Sequence, residues 1–178
     1  MVVNLNIQIQ IIKIKCVEPK SPSESSIITY QLAMPAYSNP SWRDNSLDIG
    51  AINGGAILNL VDNVAGWVAL RHCRTRAVTA SIDKMDFLNP VHVGELIRLK
   101  ASVNYTGRTS LEVGVSIEVE NVYTGTITKT GKAYLTMVAV DDDNKPIPVP
   151  PLKLTNKIEE RRYNDAEKRR QKRLLNKS

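Results

Sequence analysis

The stretch from Gly55 to Arg71 constrains this chain more than any other. It carries Ala56, Ile57, Leu58, Leu60, Val61, Val64, Ala65, Trp67, Val68, Ala69 and Leu70, which on a helix cover nearly the whole circumference. A helix apolar all round must be buried, so the remainder of the chain has to wrap it. One narrow stripe interrupts the apolar surface. Gly55, Asn59, Asp62, Asn63 and Gly66 recur at spacings of three or four and share a face. A carboxylate facing an interior must be compensated or put to use.

Everything around that helix reads as strand. Leu5, Ile7, Ile9 and Ile11 alternate with Asn4, Asn6, Gln8 and Gln10, the period of a half-buried strand. A linker follows over residues 20–26, and Ile27–Met34 is a second strand stopped by Pro35. Beyond the helix come strands over Ala77–Phe87, Leu96–Thr106, Leu111–Val119 and Ile127–Val140. In the second of these Ile97, Leu99, Ala101, Val103 and Tyr105 point one way; the short Gly107-Arg108 turn makes a hairpin with the third. Pro146, Pro148, Pro150 and Pro151 then forbid more sheet. This order excludes a parallel βαβ array. It predicts an α+β fold, one antiparallel sheet wrapped round one long buried helix, plus a basic C-terminal helix. The expected divisions are an N-terminal extension over 1–26, a domain over 27–152 and the basic helix over 153–178.

Charge looks at first like a signal for nucleic acid. The formal net charge is +6, but residues 153–178 hold ten of the 24 Lys/Arg and four of the 18 Asp/Glu. That leaves 14 of each sign, and a net of zero, for residues 1–152. The tail interleaves its charges, as in Asp165–Arg169 and Glu159–Arg162, the pattern of a solvated, self-paired helix. Only Ile158, Tyr163, Ala166, Leu174 and Leu175 could dock it, and Ile158, Leu174 and Leu175 are expected to pack it along an oligomer. Neither nucleic acid nor membrane is expected as a partner, although a tail that binds polyanions is the rival to be tested. No apolar run has the length of a membrane span, and Asn4–Lys15 is a poor secretory signal. Cys16 and Cys73, with His72 and His92, show no metal-ligand spacing. No metal is expected, and the compartment expected is the cytoplasm.

Chemistry concentrates at the helix start. Gly54-Gly55 allows a sharp, closely packed entry, and it also clears side chains from free N–H groups able to bind an oxyanion. Asp62, about 10 Å further along the same face, could act on a water attacking a carbonyl held there, given a partner surface to complete the site. Its bland alternative is a hydrogen bond to Asn59, Asn63 or the sheet. His72 reads as a cation capping the helix C-terminus, and His92 as a turn residue. The Gly125–Lys132 run has the wrong spacing and setting for a phosphate loop.

The series Gly50-Ala51-Ile52-Asn53-Gly54-Gly55 through Asp62, Val78-Thr79-Ala80-Ser81, Asp86-Phe87-Leu88-Asn89-Pro90 and Gly107-Arg108-Thr109-Ser110 resembles the hotdog-fold acyl-CoA thioesterases. The nearest branch is that of the bacterial short- and medium-chain hydrolases and the brain-type cytosolic hydrolase. The resemblance covers residues 31–151. It implies hydrolysis of acyl-CoA to a free fatty acid and coenzyme A, with no cofactor, coenzyme A being part of the substrate. It also implies homodimers assembled as a trimer of dimers. Onto this chain it carries Asp62 as general base or nucleophile and Gly55 as oxyanion donor; Asn45 and Asn53, given a rearranged loop, are the nearby stand-ins for an orienting asparagine. Gly54, Asn59, Thr79, Ser81, Gly107, Arg108, Thr109 and Ser110 are the substrate-binding candidates, Arg108 toward the coenzyme A phosphates. The family's asparagine stands seven residues before the glycine pair, where this chain has Leu47. That departure motivates a rival: a non-catalytic acyl-CoA-binding sensor or scaffold.

Overall fold

A computed structural model describes residues 18–39 and 50–175. The strand expected over residues 4–11, and Asn45 and Leu47, lie outside the described residues. The described elements are α1 (Pro22–Ser25), β1 (Ile27–Leu32), α2 (Gly54–Cys73), β2 (Ala77–Phe87), β3 (Leu96–Thr106), β4 (Ser110–Glu120), β5 (Ile127–Ala139) and α3 (Lys157–Leu175). The strands form one five-stranded sheet in the order β1-β3-β4-β5-β2, and every pair is antiparallel.

The alternation seen in the sequence sets the core. Ile97, Leu99, Ala101 and Val103 from β3, Leu111 to Val119 at every second position of β4, and Ala133, Leu135, Met137 and Ala139 from β5 face Ile57, Val61, Val64, Ala65, Val68 and Ala69 of α2. Helix α2 is 20 residues long, opened by Asn53 and closed by Arg74 in the left-handed conformation. The expectation of a helix buried on all sides is corrected. In a single chain the sheet covers one side only, and Asn59, Asn63, Trp67 and Leu70 remain exposed.

The linker expected over 20–26 contains the short helix α1. Its start is held by Glu24, which accepts hydrogen bonds from the Ser21 amide at 2.6 Å and the Ser21 hydroxyl at 2.8 Å. Lys20 bonds the 151–153 strip on both sides, its amide to the Pro151 carbonyl and its carbonyl from the Lys153 amide, each at 2.9 Å.

His72 is a second correction. Its ring is fully buried, with Nε2 2.9 Å from the Pro150 carbonyl and Nδ1 3.2 Å from the Ser25 hydroxyl. The carbonyl can only accept, so Nε2 carries the proton and Nδ1 accepts from Ser25. Burial pushes the imidazolium pKa down, so the ring is a neutral tie between α1, α2 and the Pro150 strip rather than a capping cation.

Helix α3 lies on the outer face of the sheet. Ala166 is buried there, and the Tyr163 ring packs 4.9 Å from that of Tyr105. Tyr105 was expected among the core side chains; a bulge between Val103 and Tyr105 turns it outward. The extra residue, Asn104, donates to Glu112 at 3.1 Å, in space that a Cβ at Gly114 would fill. The expected Asp165–Arg169 pairing is also corrected. Arg169 makes a two-pronged bond to Glu112, at 3.1 and 2.7 Å, and lies over the Tyr134 ring at 3.8 Å. Arg173 binds Asp83. Ile158, Leu174 and Leu175, expected to pack the tail, are exposed.

Candidate functional site

Two sets of chemical groups sit along α2. At its start, the Asn53 Oδ1 accepts the Ala56 amide at 2.7 Å while Nδ2 donates to the Tyr37 carbonyl at 2.9 Å. Both polar ends of Asn53 are therefore engaged in holding the helix entry. The Ala56 and Ile57 amides turn to Asn53, whereas the Gly54 and Gly55 amides have no partner among the described residues. These are the free N–H groups of a helix N-terminus. Phe87 closes on Gly54, where a Cβ would stand 3.2 Å from the ring. Gly54 also lines a cavity of about 440 Å³ walled by Ile57, Phe87, Leu88, Ile117 and Thr130.

Two turns on, half-buried Asp62 accepts the Thr79 hydroxyl at 2.7 Å. Thr79 rises from β2, opposite Met137 on β5, and its hydroxyl also lies 3.5 Å from the Met137 sulfur. The bond fixes one carboxylate oxygen and leaves the other outside it. Asn59 accepts from Asn63 at 3.0 Å and does not bond Asp62.

The remaining candidates are dispersed in the protomer. A bulge between Thr79 and Ser81 turns the serine to the outer face. There it donates to Asp83, which also accepts from Thr136 and Arg173. Thr79 and Ser81 are thus not neighbours of one site. The Gly107–Ser110 turn is closed by the Gly107 amide on the Ser110 carbonyl at 2.7 Å, with the Arg108 carbonyl accepting from Val149 at 3.0 Å. Those contacts place it at the end of the sheet where α2 finishes, whereas Gly54 and Gly55 stand where α2 begins. Arg108 is exposed. A residue not singled out from the sequence, Thr130, lines the cavity beside Gly54; nothing in its local sequence distinguishes it from other strand threonines.

No group of three or more His, Cys, Asp or Glu able to hold a metal ion occurs among the described residues. No described helix is long and apolar enough to cross a membrane.

Known proteins match this geometry. Residues 49–126 fit the family model of the thioesterase superfamily. Protein VdlD of Helicobacter pylori is 43% identical over 122 residues, 68% of this chain and 70% of that one. A hexameric acyl-CoA thioesterase solved without ligand superposes with a TM-score of 0.83 at 34% identity, covering 91% of this chain and 99% of that one. An acyl-CoA hydrolase from Staphylococcus aureus, solved with butyryl coenzyme A, coenzyme A and coenzyme A disulfide, gives 0.79 at 31% identity, covering 89% and 93%. The Staphylococcus enzyme was also solved as alanine variants of an aspartate, a threonine and an asparagine. Its aspartate and threonine stand 17 positions apart, as do Asp62 and Thr79 here. Sequence, sheet order and the wrapped helix agree: this chain belongs to the thioesterase superfamily.

Proposed function

We propose that this chain hydrolyses acyl-CoA thioesters to a free acid and coenzyme A, with Asp62 as general base and the Gly55 amide as oxyanion donor. The observation that carries the reading is the Thr79–Asp62 hydrogen bond, which fixes a carboxylate on the helix whose first amides are free. Water attacks the thioester carbon and gives its proton to Asp62. The carbonyl oxygen takes the negative charge, which the Gly55 N–H stabilises, Gly54 lying beside it. The carbon–sulfur bond then breaks, and the departing thiolate takes the proton back from Asp62. Thr79 is a positioning residue, and Asn53 positions the helix start. The 17-residue spacing shared with the aspartate and threonine of the Staphylococcus hydrolase supports these roles.

Gly55 and Asp62 are about 10 Å apart along one helix, too far for both to touch one carbonyl and its attacking water. Two antiparallel copies of α2 would bring Gly55 of one chain beside Asp62 of the other. The exposed face of α2 and the free edge of β2 support such a homodimer, and a trimer of dimers is our reading of the full assembly. In it, Arg108 and the rest of the Gly107–Ser110 turn would meet coenzyme A, and Asn59 would line the joint. Ser81, bonded to Asp83, keeps only a supporting place. We assign the protein to the cytoplasm, in keeping with its sparse, widely separated cysteines.

Leu47 sustains the rival reading. The Staphylococcus enzyme has the asparagine of its third variant fifteen positions before the aspartate, and Leu47 stands fifteen before Asp62. A thiol-release assay over acyl-CoAs of increasing length separates the two. The wild type is expected to turn over, and Asp62→Asn to lose about 10²-fold or more while still binding acyl-CoA. Equal turnover by the asparagine variant would refute the mechanism. Binding without turnover by the wild type would establish the sensor.

A further inference from the structure

The outer face of the sheet, away from α2, carries rows of side chains set by the register of β3, β4 and β5. Ser102, Gly114 and Tyr134 form one row, Lys100, Ser116 and Lys132 the next, and Arg98, Glu118 and Lys129 the third. Neighbouring rows are two residues apart on β4, about 7 Å. Helix α3 borders them and turns Arg161, Arg162, Asp165 and Arg169 to the same space. The result is a groove of about 470 Å³, a size that suits a small molecule. Ser102, Gly114 and Ser116 put only small groups on its floor.

Charge sets this groove apart. Lys100, Lys129, Lys132, Arg161, Arg162 and Arg169 line it, against the carboxylates of Glu118 and Asp165. Part of that charge is settled within the protein. Lys100 reaches Glu118 at 2.8 Å, Lys132 reaches Asp86 at 3.5 Å, and Arg169 is held by Glu112 at 2.7 Å. Arg98 also lies 3.6 Å from Glu118. Lys129, Arg161 and Arg162 have no carboxylate within ion-pair distance among the described residues. Arg162 donates only to the Ser102 hydroxyl, at 3.4 Å. Cations gathered round one concave surface repel one another until an anion joins them, and the walls focus their field. With the Ser102 and Ser116 hydroxyls between them, the donors suit phosphoryl oxygens. The Arg169 guanidinium covers the Tyr134 ring at 3.8 Å, which takes that ring out of use for stacking a base. Recognition therefore falls on the phosphates.

We propose that this groove is a binding site for two linked phosphoryl groups. One is held by Lys100, Lys132 and the Ser116 hydroxyl, the other by Arg161, Arg162 and the Ser102 hydroxyl. The ligand class is a small-molecule diphosphate. The site lies on the opposite face of the sheet from Asp62 of the same chain, so it does not rest on the hydrolase reading. Two sources carry such a group: a free phosphorylated metabolite, and coenzyme A held by a neighbouring subunit.

The test titrates pyrophosphate into the full chain by calorimetry, at fixed ionic strength and without divalent cations. The wild type is expected to bind it. Arg162→Gln and Lys132→Gln are each expected to weaken binding about tenfold; Asp86 keeps Lys84 at 3.1 Å when Lys132 is lost. Lys168→Gln, on α3 but outside the groove, should leave binding unchanged. Competition then tells the sources apart. Displacement of pyrophosphate by coenzyme A, with the same losses in the two variants, identifies the diphosphate of coenzyme A. Displacement by ADP and not by coenzyme A identifies a separate effector. No binding by the wild type would overturn the proposal. So would an affinity unchanged in Arg162→Gln and Lys132→Gln, which puts the anion elsewhere, or an equal loss in Lys168→Gln, which marks diffuse attraction to a basic helix.

Discussion

Thr79 shows how much one side chain can decide. Its hydroxyl is what restrains the Asp62 carboxylate, at 2.7 Å, and it is exposed enough that its loss should not disturb the core. Thr79→Val is therefore expected to lower kcat about tenfold with little change in KM or thermal midpoint, and Thr79→Ser to restore it. A KM rise with kcat intact would instead make Thr79 a binding residue. His72 makes a different kind of residue-level claim. Burial first, against the opposing pull of its bond to Pro150, lowers its pKa in the fold below the ordinary 6.5. The unfolded chain then binds the proton more readily, so stability falls as pH drops from about 6.5 through the folded-state value. Urea unfolding between pH 8 and pH 5 should show that slope, and His72→Gln should flatten it. Glu24 and Asp86, both held below the usual carboxylate range, lose their contributions only at lower pH. An unflattened slope in the variant would assign the effect elsewhere.

At the scale of elements, periodicity was informative and pairing slips were hidden. The apolar circumference of α2 and the alternation of β3, β4 and β5 were legible because burial on a sheet face demands period two. The four bulges were not, since each is a one-residue slip that only the paired strand defines. They account for the main misplacements: Ser81 separated from Thr79, and Tyr105 turned outward. Helix α3 was misread for another reason. Its arginines looked solvated because their carboxylate partners lie on β2 and β4, far away in sequence. Glu112 is only 3% exposed, and Arg169 is its charge partner. Removing one member of such a pair leaves a buried charge. Arg169→Ala is thus expected to destabilise the fold by about 3 kcal/mol, whereas Arg161→Ala, on the exposed side, should change it by less than about 0.5 kcal/mol. Comparable effects on unfolding by denaturant would mean that α3 is held by its apolar contacts instead.

For the whole molecule, the proposed site is one that a single chain leaves unfinished. Strand β2 ends the sheet, so its outer N–H and C=O groups are unpaired, and Ile82 on it is exposed, as are Trp67 and Leu70 of α2. Pairing β2 with β2 about a two-fold axis would cover that surface and lay two α2 helices antiparallel, about 8–10 Å apart. An axis crossing near Leu58 and Asn59 puts Gly55 of one chain level with Asp62 of the other, because those two positions are equidistant from it. Each site then takes its amide from one subunit and its carboxylate from the other, which makes subunit mixing a sharp test. Asp62→Asn loses the base. Gly55→Pro loses the N–H at a first-turn position that accepts proline, and a Cβ there meets nothing closer than the Asn53 side-chain oxygen at 3.3 Å. Each variant alone should be nearly inactive. Unfolded and refolded together in equal amounts, they should recover about a quarter of wild-type turnover, since half the random dimers are mixed and each mixed dimer contains one intact site. Two inactive variants that stay inactive after verified mixing would place the amide and the carboxylate of each site in the same chain, and the two-fold arrangement drawn here would have to be abandoned.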